Sequence, residues 1–295
     1  MKITRRKHRP YVILSGLVIY IIVVVFNFPA SIEAQENIRM DTYYEEEGVG
    51  LKVWTDGASI IFEGHIAKES QFYIDDFDNV RKVVLIWSGE TRDKAAYFKR
   101  IVLRNPEGKR QVVKAEKVYT YISSGILYCC FADITSLYEG KGNYTIENIR
   151  TDSFERKDGD AYSVGGYAVV VIYEDKQDKQ EKYVMMKSSL LALRPGEIYS
   201  IRILEKGSPL IPEQFIIIGG HGRKGNGSAN LLNGQSISGE EDWDGSSGIY
   251  WDIDSFTVYS EEIDIKGQGL LLSFDSLLQW IYPVSAVFVF EKGGN

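Results

Sequence analysis

The fold is decided first by one uninterrupted apolar stretch, Tyr167-Ala168-Val169-Val170-Val171-Ile172-Tyr173. Apart from Ala168, every residue in it is β-branched or aromatic, as strands prefer. Successive side chains of a strand point to opposite faces, so both faces of this segment are apolar. The sequence therefore predicts that residues 167–173 form a strand at the centre of a sheet.

Similar segments lie on both sides of this stretch. They have period-two or solid apolar patterns and are short enough for strands; they comprise residues 83–87, 98–103, 126–131, 215–218, 270–274 and 284–290. Turn-forming sequences such as Asn105-Pro106-Glu107-Gly108 and Gly140-Lys141-Gly142-Asn143 separate them too closely for the helices of an α/β protein. We expect about a dozen strands and few helices.

Residues 35–295 are long enough for one large β domain or for two of ordinary size. The predicted fold class is all-β, an antiparallel β-sandwich of jelly-roll-like type, formed as one large domain or as two closely joined sandwiches. The charged stretch 151–160 and the glycine-rich stretch 219–248 are predicted to be irregular.

Residues 1–34 have the pattern of an export signal. Five Lys and Arg precede the uncharged, mainly apolar run 11–28, and small residues follow it up to Ala34. Cleavage after Ala34 would remove residues 1–34 as a signal peptide. Alternatively, residues 11–28, about 27 Å long as a helix, remain as an uncleaved membrane anchor. In both cases residues 35–295 are predicted to be extracytoplasmic, secreted or at the cell surface, and to meet the membrane only through the N-terminal segment.

The charge balance argues against one class of partner. Residues 35–295 hold 29 Lys and Arg against 40 Asp and Glu, which gives a net charge of −11. Such a chain repels phosphate backbones and anionic lipid, and we expect no basic patch to offset this. No nucleic-acid partner is predicted, whereas a solvated surface protein or a binder of divalent cations fits the balance.

The two cysteines are adjacent, Cys129 and Cys130, in a segment predicted to be a strand. Neighbouring side chains on a strand point to opposite faces, so a disulfide between them is geometrically poor. Nothing in the surrounding sequence provides the electropositive setting of a reactive thiol. We expect both to be buried packing residues.

Four carboxylates lie within thirteen residues of the glycine-rich region: Asp242, Asp244, Asp252 and Asp254. Clustered oxygens on such a loop suit Ca²⁺, although the spacing and terminal Glu of an EF-hand are missing. The other interpretation is structural, with Asp side chains capping the amides of turns. A strand over 251–254 would put Asp252 and Asp254 on one face, with Trp251 and Ile253 on the other. Calcium is the one cofactor that the sequence suggests.

The same carboxylates could also serve as the catalytic acids of a glycosidase, which needs two acids about 5 to 9 Å apart. Trp243 and Trp251 could then stack on sugar rings. The chain has no HExxH and no GxSxG motif, and residues 35–295 contain only His65 and His221. No catalytic residue is therefore predicted, and the chain is interpreted as a non-enzyme.

A binding surface is predicted within the same region. Aromatic residues make up 13% of the chain, and Tyr and Trp provide large amphipathic contact areas. Long glycine-rich connections inside compact domains often carry function. We therefore predict that Trp243, Trp251 and His221 line a surface that binds a cell-surface glycan or protein.

The order of several motifs resembles a known family. They are Val84-Leu85-Ile86-Trp87-Ser88-Gly89, Ala132-Asp133-Ile134-Thr135-Ser136-Leu137, Gly165-Gly166-Tyr167-Ala168-Val169-Val170-Val171-Ile172-Tyr173-Glu174 and Trp251-Asp252-Ile253-Asp254-Ser255-Phe256. Together they resemble exported β-rich modules found at the head of large bacterial and archaeal surface proteins, before immunoglobulin-like surface-repeat domains. The resemblance implies a surface location and a β-sandwich, and no catalytic residue is carried over from it.

Three hypotheses about function follow. The first is a non-enzymatic exported surface or envelope protein that acts as a binding or adhesion module. The second is a carbohydrate-active enzyme that uses the acidic residues of the 242–254 segment. The third is a structural envelope protein that self-associates through sheet edges.

Overall fold

The computed structural model describes residues 39–62, 65–92, 97–122, 125–152, 165–222, 224–225, 227–237, 242–248, 250–259 and 265–293. The predicted signal peptide or membrane anchor, residues 1–34, lies outside these residues, as does most of the charged stretch 151–160. Within the described part of the chain, no helix is long and apolar enough to cross a membrane.

Strands make up most of the described residues. They are β1 Asp41–Val49, β2 Leu51–Ser59, β3 Ile61–Phe62, β4 His65–Ile66, β5 Glu69–Ile74, β6 Val80–Thr91, β7 Arg100–Arg104, β8 Arg110–Lys114, β9 Lys117–Ile122, β10 Ile126–Asp133, β11 Gly142–Glu147, β12 Gly165–Glu174, β13 Glu181–Ser188, β14 Ile198–Leu204, β15 Leu210–Gly220, β16 Ala229–Leu232, β17 Gln235–Ser236, β18 Trp251–Thr257, β19 Leu270–Asp275 and β20 Tyr282–Lys292. The helical elements among these residues are two 3₁₀ turns, Tyr97–Lys99 and Thr135–Leu137, and the four-residue helix α1, Ile265–Gln268. The all-β prediction is confirmed. The strands outnumber the expected dozen, partly because β16 and β17 lie in a region that was predicted to be irregular.

The strands form four main sheets. Sheet 1 has the order β5-β11-β7-β8, sheet 2 the order β2-β12-β6-β10-β9, sheet 3 the order β1-β13-β20-β15-β18 and sheet 4 the order β14-β19-β16-β17. β3 and β4 pair as a small separate ribbon. Each pairing between described strands is antiparallel, as predicted.

The four sheets are stacked as layers in the order 1, 2, 3, 4, with an apolar cluster in each gap. Each cluster contains residues of the two sheets that enclose it: in that order, Leu103 and Val169, Val170 and Val287, and Leu272 and Phe288. Sheets 1 and 2 form one sandwich and sheets 3 and 4 form another, and sheets 2 and 3 pack face to face. The described residues form one compact unit, and its division into one large domain or two closely joined sandwiches stays a prediction.

β12 has the central position that its sequence predicts. It pairs with β2 on one side and β6 on the other. Val169 and Val171 belong to the cluster between sheets 1 and 2, whereas Val170 and Ile172 belong to the cluster between sheets 2 and 3. All four side chains are fully buried, which explains why the strand is apolar on both faces.

The adjacent cysteines behave as predicted. Both are free and buried, with Cys130 in the cluster between sheets 1 and 2 and Cys129 in the cluster between sheets 2 and 3. Burial raises the pKa of both thiols, so the reactive thiolate is disfavoured. The pair therefore fills two cores at once.

The turn after β10 is closed by Asp133 and Thr135. Oδ1 of Asp133 accepts from the amide of Thr135 at 2.9 Å and from its hydroxyl at 2.5 Å. The same hydroxyl oxygen accepts from the amide of Val83 at 2.9 Å, which ties the turn to β6. Gly140, in the next turn, has φ of 86°, a conformation that glycine adopts without strain.

Sheets 2 and 3 approach so closely at one point that no side chain fits between them. A Cβ atom on Gly166 of β12 would lie 2.3 Å from Cδ2 of Trp251, and one on Gly57 of β2 would lie 2.6 Å from Cδ1 of Ile253. Trp251 and Ile253 share the face of β18 that turns toward sheet 2. The two glycines therefore set the distance between the sandwiches.

Replacing Gly166 should weaken this junction. In Gly166→Ala the new methyl group must displace a fully buried indole, and we expect the free energy of unfolding to fall by about 3 kcal/mol, a typical cost of overpacking. Equilibrium urea unfolding measures the change. Gly48→Ala is the control, because its Cβ would meet only the flexible side chain of Leu51 at 3.3 Å. Equal losses in the two variants would contradict the proposed role of the Gly166 contact.

Candidate functional site

Three strand ends of sheet 3 meet at one place. β15 ends at Gly220, β18 begins at Trp251 and β20 begins at Tyr282. The strand register pairs Gly220 with Trp251 on one side and with Tyr282 on the other. Residues just outside these ends, His221 and Tyr250, are therefore brought beside Tyr282.

Four rings form a row here, which we call the aromatic row: Tyr250, His221, Tyr282 and Trp280. Ring centroids are 5.4 Å apart for Tyr250 and His221, 5.4 Å for His221 and Tyr282, and 6.2 Å for Tyr282 and Trp280. The exposed guanidinium of Arg194 lies 5.8 Å from the centroid of Trp280. The two tyrosines and Trp280 are half-buried, so part of each ring faces solvent.

The backbone at two members of the row is in the left-handed region. His221 has φ of 73° and Tyr250 has φ of 62°. This conformation is unfavourable for His and above all for the bulky Tyr, and it costs about 1 to 3 kcal/mol of stability at each residue. The amide of His221 donates to the carbonyl of Tyr250 at 2.8 Å, which links the two strained residues. Strain of this kind is concentrated at functional sites.

The tautomer of His221 follows from its contact with Trp280. Nδ1 of His221 lies 3.0 Å from the carbonyl oxygen of Trp280. A carbonyl only accepts, so Nδ1 carries a proton and donates it to this bond. The bond also fixes the plane of the imidazole between Tyr250 and Tyr282.

Carboxylates hold the segment 242–248 beside the row. Oδ1 of Asp252 accepts from the amides of Gly245 and Ser246 at 2.5 and 3.0 Å. The hydroxyl of Ser246 donates to Oδ1 of Asp254 at 3.2 Å. The two aspartates therefore lie on one face of β18, as strand alternation predicts, and the capping interpretation of Asp252 is confirmed.

A second set of bonds ties the start of this segment to sheet 4. Oδ2 of Asp242 accepts from the amide of Asn230 at 2.6 Å. Nε1 of Trp243 donates to Oδ1 of Asn230 at 3.1 Å, and the carbonyl of Trp243 accepts from Nε2 of Gln279 at 3.0 Å. Hydrogen bonds therefore hold the segment 242–248 in place at the end of sheet 3.

Three of the four aspartates are electrostatically unusual. Burial, reinforced by the charge of Asp254, raises the pKa of Asp252 to about 7. Burial also raises the pKa of Asp242 and of Asp254 to about 6, with a smaller contribution from the charge of Asp244. Each carboxyl whose pKa is raised has one buried oxygen without a hydrogen-bond partner among the described residues: Oδ1 of Asp242, Oδ2 of Asp252 and Oδ2 of Asp254. These oxygens are the natural places for a proton.

The calcium prediction gains no support from this geometry. Among the described residues, no group of three or more His, Cys, Asp or Glu side chains is arranged to hold a metal ion. A Cβ on Gly222 would lie 1.8 Å from Oδ2 of Asp252, so that oxygen already abuts the backbone of Gly222. Calcium at Asp242, Asp244, Asp252 and Asp254 stays a prediction.

The predicted binding surface has to be corrected for its tryptophans. Trp251 is 0% exposed because it points at sheet 2, and Trp243 is 1% exposed because it lies over Gly219 in the cluster between sheets 3 and 4. His221 is 7% exposed, yet its ring belongs to the aromatic row. Both tryptophans are core residues: strand alternation turns Trp251 inward, and hydrogen bonds to Asn230 and Gln279 hold Trp243 in place.

Sequence reasoning missed most of the row. Trp280 and Tyr282 are two residues apart and flank the fully buried Ile281, a period-two pattern that places both rings on one side. That signal was present in the sequence. The positions of Tyr250 beside His221 and of Arg194 beside Trp280 could not be predicted, because they depend on strand register and on contacts between distant parts of the chain.

The site also limits the enzyme hypothesis. A glycosidase needs an acid that is protonated near neutral pH, and the raised pKa of Asp252 meets that condition. However, Asp252 is 0% exposed and Asp242 is 3% exposed, so a glycosidic oxygen cannot approach either carboxyl in this structure. The enzyme hypothesis stays a prediction that would require the 242–248 segment to move.

Comparison with known proteins identifies no family. No protein-family model and no curated protein sequence matches the chain. Among solved structures, the chain is similar to one from Sulfolobus turreted icosahedral virus (10% identity, TM-score 0.29, covering 82% of this chain and 90% of that one). It is also similar to PNGase F, a glycosylasparaginase from Flavobacterium meningosepticum (11%, 0.26, 83% and 96%), and to BuGH86 in complex with neoagarooctaose (11%, 0.27, 86% and 34%). TM-scores this low do not establish a common fold, so function has to be argued from the site.

The raised pKa values predict how stability depends on pH. The unfolded chain releases the aspartate protons near pH 3.8, whereas the folded chain holds them to about pH 6 to 7. The stabilisation from these groups is therefore complete below about pH 4 and is lost as pH rises to about 7. In Asp252→Asn the amide oxygen still accepts from Gly245 and Ser246 without a charge. We expect this variant to be more stable than wild type at pH 8, by on the order of 2 kcal/mol, with a flatter profile from pH 5 to 8.

Urea unfolding at several pH values provides the measurement. Asp76→Asn removes a charge from an exposed site, 74% exposed at its side chain, and should leave the profile unchanged. A loss of stability in Asp252→Asn at pH 8 would contradict the prediction and show that the ionised carboxylate is needed. That outcome is what bound calcium demands, and unfolding with added calcium and with chelator would then decide it.

Proposed function

We propose that the protein is a non-enzymatic, extracytoplasmic binding module that holds a cell-surface glycan against the aromatic row. The observation that carries the proposal is the row itself: adjoining rings, of which Tyr250, Trp280 and Tyr282 are half-buried, beside an exposed guanidinium and built on strained backbone. The positive φ of His221 and Tyr250 lowers stability, so folding alone does not account for the strain at these two residues.

The chemistry of the row suits a sugar. The face of an aromatic ring is electron-rich, and the axial C–H groups of a pyranose present positive edges to it. Trp280 and Tyr282 are stacked, with ring planes inclined by only 24°. The guanidinium of Arg194 adds fixed donors at one end of the row for hydroxyl or carboxylate groups.

A glycan fits better than a folded protein partner. Specific protein interfaces bury about 800 Å² on each side around a fully desolvated anchor. Here the rings are already half-buried against their own sheet and present a narrow strip. The carbohydrate-active enzyme and the self-associating envelope protein remain the other hypotheses.

The compartment is supported by the sequence pattern of residues 1–34 and by the resemblance to exported surface modules. If the segment is a signal peptide, the mature protein begins at Gln35. Expression in a bacterial host followed by N-terminal sequencing checks this. Material that retains residues 1–34 and sediments with membranes would indicate the anchor instead, and full-length protein in the cytoplasm would contradict export altogether.

Removing rings from the row should abolish glycan binding without unfolding the protein. We expect Trp280→Ala and Tyr250→Gly to weaken binding at least tenfold, about 1.4 kcal/mol, because each removes a stacking face. Tyr250→Gly also relieves the positive φ, so its stability should fall little. A glycan array identifies a ligand for the wild type, and titration calorimetry measures the variants.

Tyr97→Ala is the matched control. Tyr97 is 64% exposed and lies outside the row, so its loss should leave affinity unchanged. Equal weakening by Tyr97→Ala and Trp280→Ala would mean that binding is unspecific. Full affinity in both Trp280→Ala and Tyr250→Gly would overturn the assignment of the row.

A further inference from the structure

One hairpin reverses the charge of the molecule. Residues 99–114 contain six Lys and Arg and a single acid, Glu107, whereas the whole chain has a net charge of −7. The expectation that the chain has no basic patch is therefore wrong. The excess is carried mainly by β7 and β8, which form one edge of sheet 1.

Strand alternation sorts this hairpin into two faces. Ile101, Leu103 and Val113 point inward and are buried in the cluster with sheet 2. The outward positions form three cross-strand pairs: Arg100 with Lys114, Val102 with Val112, and Arg104 with Arg110. A pair of valines, of which Val112 is 62% exposed, thus lies between two pairs of cations on the outer face.

Like charges directly opposite each other destabilise a sheet. One of the two cationic pairs is compensated, because Arg104 lies 3.1 Å from Glu69 and 3.7 Å from Glu147, and Arg110 also bonds to Glu147. For Arg100 and Lys114, no ion pair is found among the described residues, and both are exposed. The repulsion between Arg100 and Lys114 therefore remains in the folded state, although folding does not require it.

Edge protection explains only half of this pattern. Cations on an edge strand discourage pairing with other chains, and β8 is an edge strand. Arg104, however, lies in the part of β7 that pairs with both β8 and β11, whereas Arg100 pairs with β8 alone. Edge protection therefore does not account for Arg104, and it does not explain why Arg100 and Lys114 lie directly opposite each other.

We propose that the outer face of the β7–β8 hairpin binds a linear anionic polysaccharide. The uncompensated pair, Arg100 and Lys114, supplies the net positive charge of this face. The pair Arg104 and Arg110, shared with Glu69 and Glu147, lies four residues away along the strands, about 13 Å, which spans two to three sugar units of an extended chain. The exposed Val112 and the half-buried Val102 between them provide an apolar contact for the C–H face of a sugar ring. The charge complements carboxylate or sulfate groups along the polymer.

Nucleic acid suits this face less well. The outward positions of the hairpin carry no aromatic side chain on which a base could stack. The acidic remainder of the chain repels a long phosphate backbone. This second site is independent of the aromatic row, so each can be tested without the other.

Heparin serves as the probe, with neutral dextran and double-stranded DNA for comparison. We expect the full-length protein to bind heparin and not dextran, with affinity falling as salt rises. Arg100→Ala combined with Lys114→Ala should weaken heparin binding at least tenfold and reduce the slope of log affinity against log salt by about 2. Trp280→Ala should leave heparin binding unchanged.

The matched control is Lys176→Ala combined with Lys179→Ala, which removes the same charge from an exposed turn between β12 and β13. All replaced residues are exposed, and thermal unfolding verifies that the variants fold. Heparin binding that is unaffected by the Arg100 and Lys114 changes, or equally weakened in the control, would overturn the proposal. DNA binding as tight as heparin binding through the same residues would overturn the polysaccharide class.

Discussion

The rest of the structure depends on the contact between the indole of Trp251 and the bare backbone of Gly166. It sets how closely sheets 2 and 3 pack, and through them how the two sandwiches are joined. Because β18 alternates, an inward Trp251 requires Asp252 to face the opposite side, where it caps the amides of Gly245 and Ser246. It also fixes where the chain enters β18, so that Tyr250 lies beside His221. One buried ring thus positions a capped loop and a surface site.

The candidate site contains local features that lower the stability of the fold, and burial of the apolar core offsets them. Two non-glycine residues have positive φ, and three carboxyl groups have raised pKa because burial penalises their charge. Each of these costs on the order of 1 to 3 kcal/mol, and the apolar clusters on both faces of sheet 3 offset them. The buried acids and the exposed rings have separate tasks in this account. The acids hold the 242–248 segment in place, and the rings are the proposed contact for the ligand.

Two unlike surfaces emerge on one acidic molecule. The aromatic row is uncharged apart from Arg194 and suits the faces of sugar rings, whereas the β7–β8 hairpin is cationic and suits charged polymer. A module with both could hold a neutral and an anionic glycan at once, and linked sites gain avidity without new contacts. That combination is consistent with a surface or envelope protein, in which polymers of both kinds surround the chain.

The sequence by itself determined the class of fold and its central elements. Residues 167–173 are apolar on both faces, the adjacent Cys129 and Cys130 have to point to opposite sides, and Asp133 with Thr135 closes a turn; each outcome depends only on neighbours along the chain. Only the tertiary structure decided that there are four layers, that Trp243 and Trp251 are core, and that Tyr250, His221, Tyr282 and Trp280 form one row. Those outcomes depend on which strands pair, in which register, and on which sheet covers which face. An apolar or aromatic residue reads the same in the sequence whether its ring is covered by another sheet or left at a strand end, because burial is a property of distant segments brought together.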